Sequence, residues 1–495
     1  MYLGIDLGTT TLKVAAFDAK TGALVARYEQ RLRTQVDHEG KREQEPVGIW
    51  KGVCSACSQV RSQCAGSKKQ WSAVRGIGLA CQGGSTIIAD RRTGSALSSM
   101  ILWNDARAYP YIEAIMAEKG PKYWASFTLR DEPGMGLARI HWLRERRPEL
   151  FHHDNIYIGA GEYLYFNLTG QWRQDPCHAL QSGCYDARRA RLSDNGPRVV
   201  GETAAFFAPV RQGHTTHPLR KEAARSLKLS EGIPVAGPYM DQEAGFLSVA
   251  HTSKQPLACS LGTAWVGSFR LPAPARGSSP SQLVIPDPSG RGRLVIQPLL
   301  SGNVTWDWGL ETFVHASLKK ALATHAAVLK GRILPPRGLV ALPWLYRPNP
   351  FRPHLAGGGG FMGISPATTK ADMFRAVIAG MAYELFRVFS GLQERGVMDA
   401  VVLCGGASRG QPFQQLIARL FRPLPAYCVV EDDWAGARGC LCAFGGKPAH
   451  CSTRKVCRLP RLVDGNELAQ GYKLYSDVIE RVYGEVARSQ TYKLE

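Results

Sequence analysis

The sequence predicts an α/β protein made of two domains. Strand-like and helix-like segments alternate along the chain, for example VRGIGLACQ at 74–82 and PGMGLARIHWLRERR at 133–147, and such alternation is typical of α/β folds. The chain has 495 residues, which is enough for two substantial hydrophobic cores. Because a segment like the opening one returns after residue 250, we predict domains at 1–250 and 251–495.

The overall composition is that of an ordinary soluble globular protein. Apolar residues make up 44% of the chain and charged residues 21%. No run of eighteen apolar residues is found and the sequence opens with a strand pattern, so we expect a cytoplasmic protein without membrane contact. The thirteen cysteines are then expected to be reduced and mostly buried. The irregular spacing around Cys440 and Cys442 leaves a zinc site as the alternative.

The net charge of +20 raises the question of a nucleic-acid partner. The basic residues are dispersed, and the densest groups, at 144–147 and 187–191, are short and contain no interleaved aromatic residues. We therefore expect a small phosphorylated ligand and no nucleic acid. Steeply salt-dependent DNA binding would support the alternative.

The stretch GIDLGTTTLKVAAFD at 4–18 joins two strand patterns through a turn with three consecutive threonines. Backbone N–H groups and threonine hydroxyls suit phosphate oxygens, although an ordinary structural turn explains the same residues. The stretch LACSLGTAWVGSF at 257–269 repeats the order of strand, Leu-Gly-Thr and strand, which suggests an internal duplication. Two such turns facing one another across a cleft would hold a polyphosphate.

A carboxylate at the start of a predicted helix is the candidate catalytic group. In VAGPYMDQEAGFLSVA, at 235–250, Pro238 and Tyr239 interrupt a short strand and Asp241 stands where a helix would begin. Most aspartates at such positions only cap the helix. A general base that takes a proton from an attacking hydroxyl is the functional interpretation, since phosphoryl transfer mainly requires positioning.

A third motif, VVLCGGASRGQPFQQLIARLF at 401–421, reads as a buried strand, a glycine turn and a helix beginning near Pro412. The turn lets a flat ligand approach the backbone closely. It matches neither the P-loop nor the dinucleotide-binding pattern. Two stretches rich in Pro and Gly, 271–292 and 335–360, are predicted to be surface loops.

In this order and spacing the motifs resemble those of the FGGY carbohydrate kinases, and most closely the xylulokinase branch, over about residues 1–450. GIDLGTTTLK and CSLGTAW resemble the two phosphate motifs, CGGASRG the adenosine motif and DQEA the catalytic aspartate motif. EQEPVGIW at 43–50 and ILWNDARA at 101–108 resemble xylulokinase segments. The stretch at 360–380 resembles the second family signature, with Ala379 at a usually acidic or amide position.

The resemblance implies a two-domain actin-like (ribonuclease-H-like) ATPase fold with the ligand cleft between the domains. It also implies transfer of the ATP γ-phosphate to a hydroxyl of a ketose or polyol, with a pentulose such as xylulose expected first, and a homodimer as one assembly to consider. The residue roles that it implies are Asp241 as the base, Asp6 near Mg²⁺, Thr9, Thr10, Thr11, Lys13, Gly262 and Thr263 at the ATP phosphates, Gly405 and Gly406 at adenosine, and Gln82, Trp103, Asp105, Asp241 and Gln242 at the sugar.

The chain departs from the xylulokinase pattern near the sugar. Gln82-Gly83-Gly84-Ser85 stands where Gln-Met-His-Gly is usual, and Arg139 replaces a lysine of the first signature. The pocket is therefore expected to be roomier or differently polar. A nucleotide-binding regulator with decayed catalysis is the alternative function. An actin-like ATPase or chaperone would share the fold, but its function would not require the WNDARA and DQEA motifs.

Overall fold

The computed structural model describes residues 1–64, 71–262, 264–272, 277–278, 282–299, 301–314, 332–345, 358–430, 433–457, 463–484 and 493–494. The chain forms two compact units. The first contains Met1–Ser248, Leu283–Leu294 and Trp434–Cys451, and the second contains Val249–Gln282, Val295–Asp433 and Ser452–Glu495. The main break lies close to the predicted boundary at 250, and two later segments pack in the first unit.

The first unit is built on a six-stranded sheet with the order β12-β13-β6-β1-β2-β3. Strand β6 lies parallel to both β1 and β13, whereas β1, β2 and β3 form an antiparallel meander. The strands of this part of the chain are β1 (Tyr2–Leu7), β2 (Thr11–Phe17), β3 (Leu24–Arg31), β4 (Gln35–Val36), β5 (Arg42–Gln44), β6 (Ile77–Cys81), β7 (Ile87–Asp90), β8 (Met100–Ile101), β9 (Asn155–Ile158), β10 (Tyr185–Asp186), β11 (Arg191–Leu192), β12 (Thr216–Pro218) and β13 (Pro234–Met240).

Helices cover this sheet because their apolar residues recur at helical spacing. Helix α1 buries Ile49, Val53, Cys57 and Val60 in the same core as the β1 side chains at positions 3, 5 and 7, as the spacing i, i+4, i+8, i+11 requires. The helices up to residue 249 are α1 (Pro46–Gln63), α2 (Tyr109–Glu118), α3 (Pro121–Thr128), α4 (Met135–Arg146), α5 (Ala160–Thr169), α6 (Pro176–Ser182), α7 (Lys221–Leu227) and α8 (Asp241–Val249).

The second unit repeats this arrangement. Its main sheet contains the order β18-β15-β14-β21-β22-β23, in which β21 lies parallel to both β14 and β22, and β14 and β15 form a hairpin. The remaining strands are β14 (Pro256–Leu261), β15 (Trp265–Leu271), β16 (Gly277–Ser278), β17 (Leu283–Pro286), β18 (Arg293–Pro298), β19 (Val340–Leu342), β20 (Gly360–Met362), β21 (Ala400–Cys404), β22 (Ala426–Val429), β23 (Thr453–Lys455) and β24 (Lys493–Leu494). The remaining helices are α9 (Asn303–Gly309), α10 (Lys370–Glu394), α11 (Gln411–Leu420), α12 (Ala435–Gly439) and α13 (Gly465–Tyr483).

The short helix α12 lies directly on the backbone of the first-unit sheet. A Cβ atom at Gly4 would collide with the carbonyl group of Ala437, and one at Gly78 would collide with the carbonyl group of Cys440. The two glycines in β1 and β6 therefore permit a close approach that side chains would block. This contact places Trp434–Cys451 in the first unit although it follows most of the second along the chain.

Three details differ from the prediction. The Pro- and Gly-rich stretches are not loops throughout: the first contains β17, whose Leu283, Val284 and Ile285 are buried, and the second contains β19. The reason is that short apolar runs inside these stretches pair as strands. Strand β13 also continues through Pro238 to Met240, with an irregular register between Ala236 and Tyr239 in place of an interruption.

All thirteen cysteines are free, and ten of them are buried, while Cys54 and Cys442 are half-buried and Cys457 is exposed. Burial by the core explains their number better than a common ligand does. In the described part of the chain, no helix combines the length and the apolar character needed to cross a bilayer.

Candidate active site

Three strands of the first unit end at the same edge of the sheet. Asp6 pairs with Ala80 in the β1–β6 register, and Met240 pairs with Cys81 in the β13–β6 register. Because the three strands are parallel, Asp6, Gln82 and Asp241 follow one another along the carboxyl edge of the sheet. Crevices at this edge are the usual ligand sites of open α/β sheets.

Asp241 is the first residue of α8, where the helix dipole favours a negative charge. Its Oδ1 atom accepts a hydrogen bond from the backbone N–H of Gln242 at 2.8 Å. Desolvation by the surrounding protein, followed by repulsion from the Asp6 carboxylate, raises the pKa of Asp241 to about 7. Such a pKa lies close to neutral pH, which is where a general base is most effective.

Asp6 supplies the chemistry that a magnesium ion would need. Desolvation raises the pKa of Asp6 to about 6, and the positive charge of Lys13 opposes this shift. The Lys13 ammonium lies 5.8 Å from the centre of the Trp434 ring. Carboxylate oxygens are the ligands that Mg²⁺ prefers, and a divalent cation would relieve the repulsion between Asp6 and Asp241. The residues present therefore fit this ion.

The threonine turn between β1 and β2 is held by two side chains. The Trp103 indole N–H donates to the Thr9 hydroxyl at 2.9 Å, and the Gln44 amide donates to the Thr9 carbonyl at 2.8 Å. The hydroxyls of Thr10 and Thr11 lie 3.5 Å apart, and Thr10 is exposed. Trp103 and Gln44 thus fix the turn at Thr9, and phosphate binding by its hydroxyls stays a prediction.

The buried Arg139 connects the loop that contains Gly83 and Gly84, called the glycine loop below, to the backbone at Leu102 and Trp103. The Arg139 guanidinium donates to the carbonyls of Gly84, Leu102 and Trp103, the last two at 2.9 Å. Only 1% of Arg139 is exposed. This substitution for lysine is suited to the site because a guanidinium can donate several hydrogen bonds in fixed directions.

The predicted sugar ligand Asp105 is engaged inside the protein. Its carboxylate accepts from the Arg107 guanidinium at 2.7 Å and from the backbone N–H of Arg42 at 2.7 Å, and Arg107 also contacts Glu43. Its structural role is to hold 42–44 and 105–107 together. Binding of sugar by Asp105, as by Trp103 and Gln242, stays a prediction.

In the second unit, the predicted nucleotide residues meet at the carboxyl edge of β14 and β21. Gly405 has a φ of +92°, and a Cβ atom there would lie 2.6 Å from the carbonyl carbon of Leu261, next to Gly262. The Gly262 carbonyl accepts from the Asn303 N–H at 3.1 Å, and the Asn303 side chain accepts from Trp265. Gly406 lies beside the same asparagine. Thr263 falls outside the described residues.

Sequence reasoning missed a buried ion pair next to Asp241. Arg211 donates to Glu243 at 2.8 Å, and both side chains are almost fully buried. The guanidinium also stacks 4.0 Å from the centre of the Tyr239 ring, so the pair holds the end of β13 to the start of α8. Glu243 belongs to the DQEA motif, but nothing in the sequence pairs it with an arginine thirty residues earlier.

Comparison with known proteins identifies the family. The model for the N-terminal domain of the FGGY family of carbohydrate kinases matches residues 1–248, just over half of the chain. The chain belongs to this family. The C-terminal domain model of the same family matches residues 297–442.

The relatives carry different acceptor names. A xylulose kinase of Staphylococcus epidermidis is 23% identical over 98% of this chain and 96% of its own length. A glycerol kinase of Deinococcus radiodurans is 26% identical over 84% of this chain and 83% of its own length. The solved structure of a xylulose kinase from Rhodospirillum rubrum has a TM-score of 0.83, with 18% identity, and the match covers 98% of this chain and 99% of that one.

The predicted family and the two-domain actin-like fold are therefore confirmed. The FGGY protein described here is a carbohydrate kinase, that is, a phosphotransferase with an alcohol group as acceptor and ATP as the donor. The low identities do not fix the acceptor.

Proposed function

We propose that this FGGY kinase phosphorylates a hydroxyl of a neutral ketose or polyol, with a pentulose such as xylulose as the first acceptor to test. The observation that carries the proposal is the placement of Asp241 beside Asp6 and Gln82 at one edge of the sheet. Its named relatives include xylulose kinases, which supports a pentulose.

In this mechanism Asp241 acts as the general base. The ionised carboxylate accepts the proton of the acceptor hydroxyl as its oxygen forms a bond to the γ-phosphorus, while the bond from that phosphorus to the β–γ bridging oxygen breaks and ADP leaves. The start of α8 stabilises the ionised form of Asp241. The Arg211–Glu243 pair positions the carboxylate by fixing the first turn of the helix.

The remaining roles follow the family motifs. We propose that Thr9, Thr10, Thr11 and Lys13 bind the phosphates from the first unit, and that Gly262, Thr263, Gly405 and Gly406 bind the nucleotide from the second. Asp6 would hold Mg²⁺, which neutralises charge on the phosphates when bound. Lys13 lies near Asp6, so it is suited to offset charge on the transferred group.

The decisive experiment replaces Asp241 by Asn. We expect Asp241→Asn to lose phosphoryl transfer to xylulose, ribulose and a panel of hexuloses, tetruloses and polyols, while ATP binding measured by calorimetry is retained. The loss should be about a thousandfold in kcat, within the range of general-base catalysis. Full activity of this variant would contradict the proposed base.

A second aspartate provides a matched control for helix capping. Asp464 caps α13 and accepts from the backbone N–H groups of Asn466 and Glu467 at 2.9 and 2.8 Å. Because asparagine caps helices as well as aspartate does, Asp464→Asn should keep full activity. If the wild-type protein binds ATP but turns over no acceptor in the panel, the regulator with decayed catalysis becomes the better explanation.

A further inference from the structure

We infer that Gln181 is a specificity residue of the acceptor site, where its carboxamide binds a hydroxyl of a neutral polyhydroxy substrate. The inference rests on the proposed function, because the acceptor site is the one beside Asp241. It concerns a residue that none of the motifs contains. The argument starts from the two adjacent glycines that follow Gln82.

Other side chains occupy the positions that side chains at Gly83 and Gly84 would take. A Cβ atom at Gly83 would collide with the Gln181 carboxamide oxygen and lie 2.6 Å from the sulfur of Met240, the residue before Asp241. Gly84 has a φ of +68°, and a Cβ there would lie 3.5 Å from the Gln181 carboxamide. Gln181 therefore occupies the position that a side chain from the loop would otherwise take.

Helix α6 is oriented so that Gln181 reaches this position. The Nδ1 atom of His178 accepts from the backbone N–H of Gly84 at 3.3 Å. Burial lowers the pKa of His178 to about 4, so the imidazole stays neutral and can accept. Residues three apart share a helix face, so the contact made by His178 directs Gln181 towards the same loop.

The buried carboxamide of Gln82 and the buried carboxamide oxygen of the half-buried Gln181 have unused hydrogen-bonding capacity. In the described part of the chain, neither polar atom of the Gln82 carboxamide has a hydrogen-bond partner, and the same holds for the Gln181 oxygen. Gln82 is only 3% exposed. Since buried polar groups are nearly always paired, the unpaired carboxamide atoms of the two glutamines are suited to a polar ligand.

The chemistry of the pair indicates the class of substrate. Both carboxamides are uncharged, and each offers a donor and an acceptor. A hydroxyl group both donates and accepts, so it pairs with either end of an amide, whereas a carboxylate only accepts. The Arg139 guanidinium, a cation that could attract a carboxylate, already donates to the carbonyls of Gly84, Leu102 and Trp103. A neutral ketose or polyol therefore fits better than a sugar acid.

The test measures binding and turnover separately. Calorimetry without nucleotide would compare xylulose, xylitol and gluconate with the wild-type protein and with Gln181→Leu, which keeps the volume and removes the amide. We expect xylulose or xylitol to bind the wild type more tightly than gluconate. In Gln181→Leu, affinity should fall about tenfold, the size of one buried hydrogen bond, with the KM for sugar raised and the KM for ATP unchanged.

A second substitution tests the same contact from the other side. Gly83→Ala should displace the Gln181 carboxamide and weaken sugar binding in the wild-type background. In a Gln181→Ala background its effect should be smaller, because the collision with the carboxamide is gone and only the one with the Met240 side chain remains. Gln171→Leu, at an exposed glutamine of the same unit, is the control and should change nothing.

Each outcome decides the inference. Unchanged sugar affinity in Gln181→Leu, additive effects of the two substitutions, tighter binding of gluconate, or no binding of any of the three sugars would overturn it. Binding that depends on Gln181 without any turnover would instead contradict the proposed function and leave the assignment of Gln181 supported.

Discussion

The two sheets of the FGGY kinase share a strand order but differ in the groups at their edges. In both, a hairpin with a Leu-Gly-Thr turn is followed by a strand parallel to its first member. The first-unit edge has carboxylates at Asp6 and Asp241. In the second unit, Ser260 stands at the position of Asp6 before Leu-Gly-Thr, and glycines follow β21. The same scaffold thus places carboxylates at the sheet edge of one unit and permits a close backbone approach at the edge of the other.

After the loss expected for Asp241→Asn, the largest effect should come from removing the Asp6 carboxylate, the other charge that distinguishes the two edges. Asp6→Asn should lower kcat about a hundredfold, because a metal-binding carboxylate contributes several kcal/mol to transition-state stabilisation. Ser260→Ala, at the equivalent position of the second sheet, should lower it less than threefold. Steady-state kinetics at saturating Mg²⁺ would measure both. Equal losses in the two variants would remove the proposed division of chemistry between the units.

At the edge of the second-unit sheet, which we call the glycine edge, substitution of Gly405 should lower the free energy of unfolding. Gly405→Ala forces a side chain into a backbone with a φ of +92° and against Leu261, at a cost of about 1–3 kcal/mol. At Gly262 a Cβ atom would meet no atom of the described residues within 4 Å, so Gly262→Ala should leave the melting temperature unchanged and weaken ATP binding only. Chemical denaturation and calorimetry would separate the two effects. A stable Gly405→Ala variant would be inconsistent with the close contact.

The carboxylate edge should also show a pH dependence that the glycine edge lacks. Because the pKa of Asp241 is raised to about 7 and the base must be ionised, kcat/KM should rise about tenfold per pH unit below pH 7 and level off above it. The profile is measured with both substrates well below their KM. ATP binding to Asp241→Asn should vary little over the same range. A flat profile between pH 5.5 and 7 would argue against Asp241 as the base.

The smallest expected effect concerns the support of the first threonine turn. Trp103→Phe removes the indole N–H that donates to Thr9, worth about 1 kcal/mol, so the KM for ATP should rise about fivefold. Trp172→Phe is the matched control, since its indole N–H donates to Arg91, away from the turn. If both variants have the wild-type KM, the turn does not depend on Trp103.

The local features of the fold could be predicted from the sequence. The two strand patterns in 4–18 predicted β1 and β2, the position of Pro412 predicted the start of α11, and the position of Asp241 predicted the start of α8. Each of these patterns involves only residues that are close together in the sequence. The family motifs then indicated which turns are candidates for phosphate binding, which composition alone does not indicate.

Contacts between distant segments could not be predicted. The Arg211–Glu243 pair joins residues 32 apart in sequence, and the carboxamide of Gln181 meets a loop almost a hundred residues earlier. The hydrophobic periodicity of a sequence does not indicate such pairs, because they depend on how the helices pack on the sheet. The buried strand Leu283–Pro286 was missed for a related reason: the surrounding prolines and glycines outweighed the strong β-propensity of Val284 and Ile285.

The contact of α12 with Gly4 and Gly78 also governs how the chain can fold. Strand β1 is covered by a segment that follows most of the second unit along the chain, so the first unit reaches its final packing only after that segment has been synthesised. Contacts of such long sequence separation slow folding. Until they form, the backbone of β1 and β6 lacks its native cover and can pair with non-native segments.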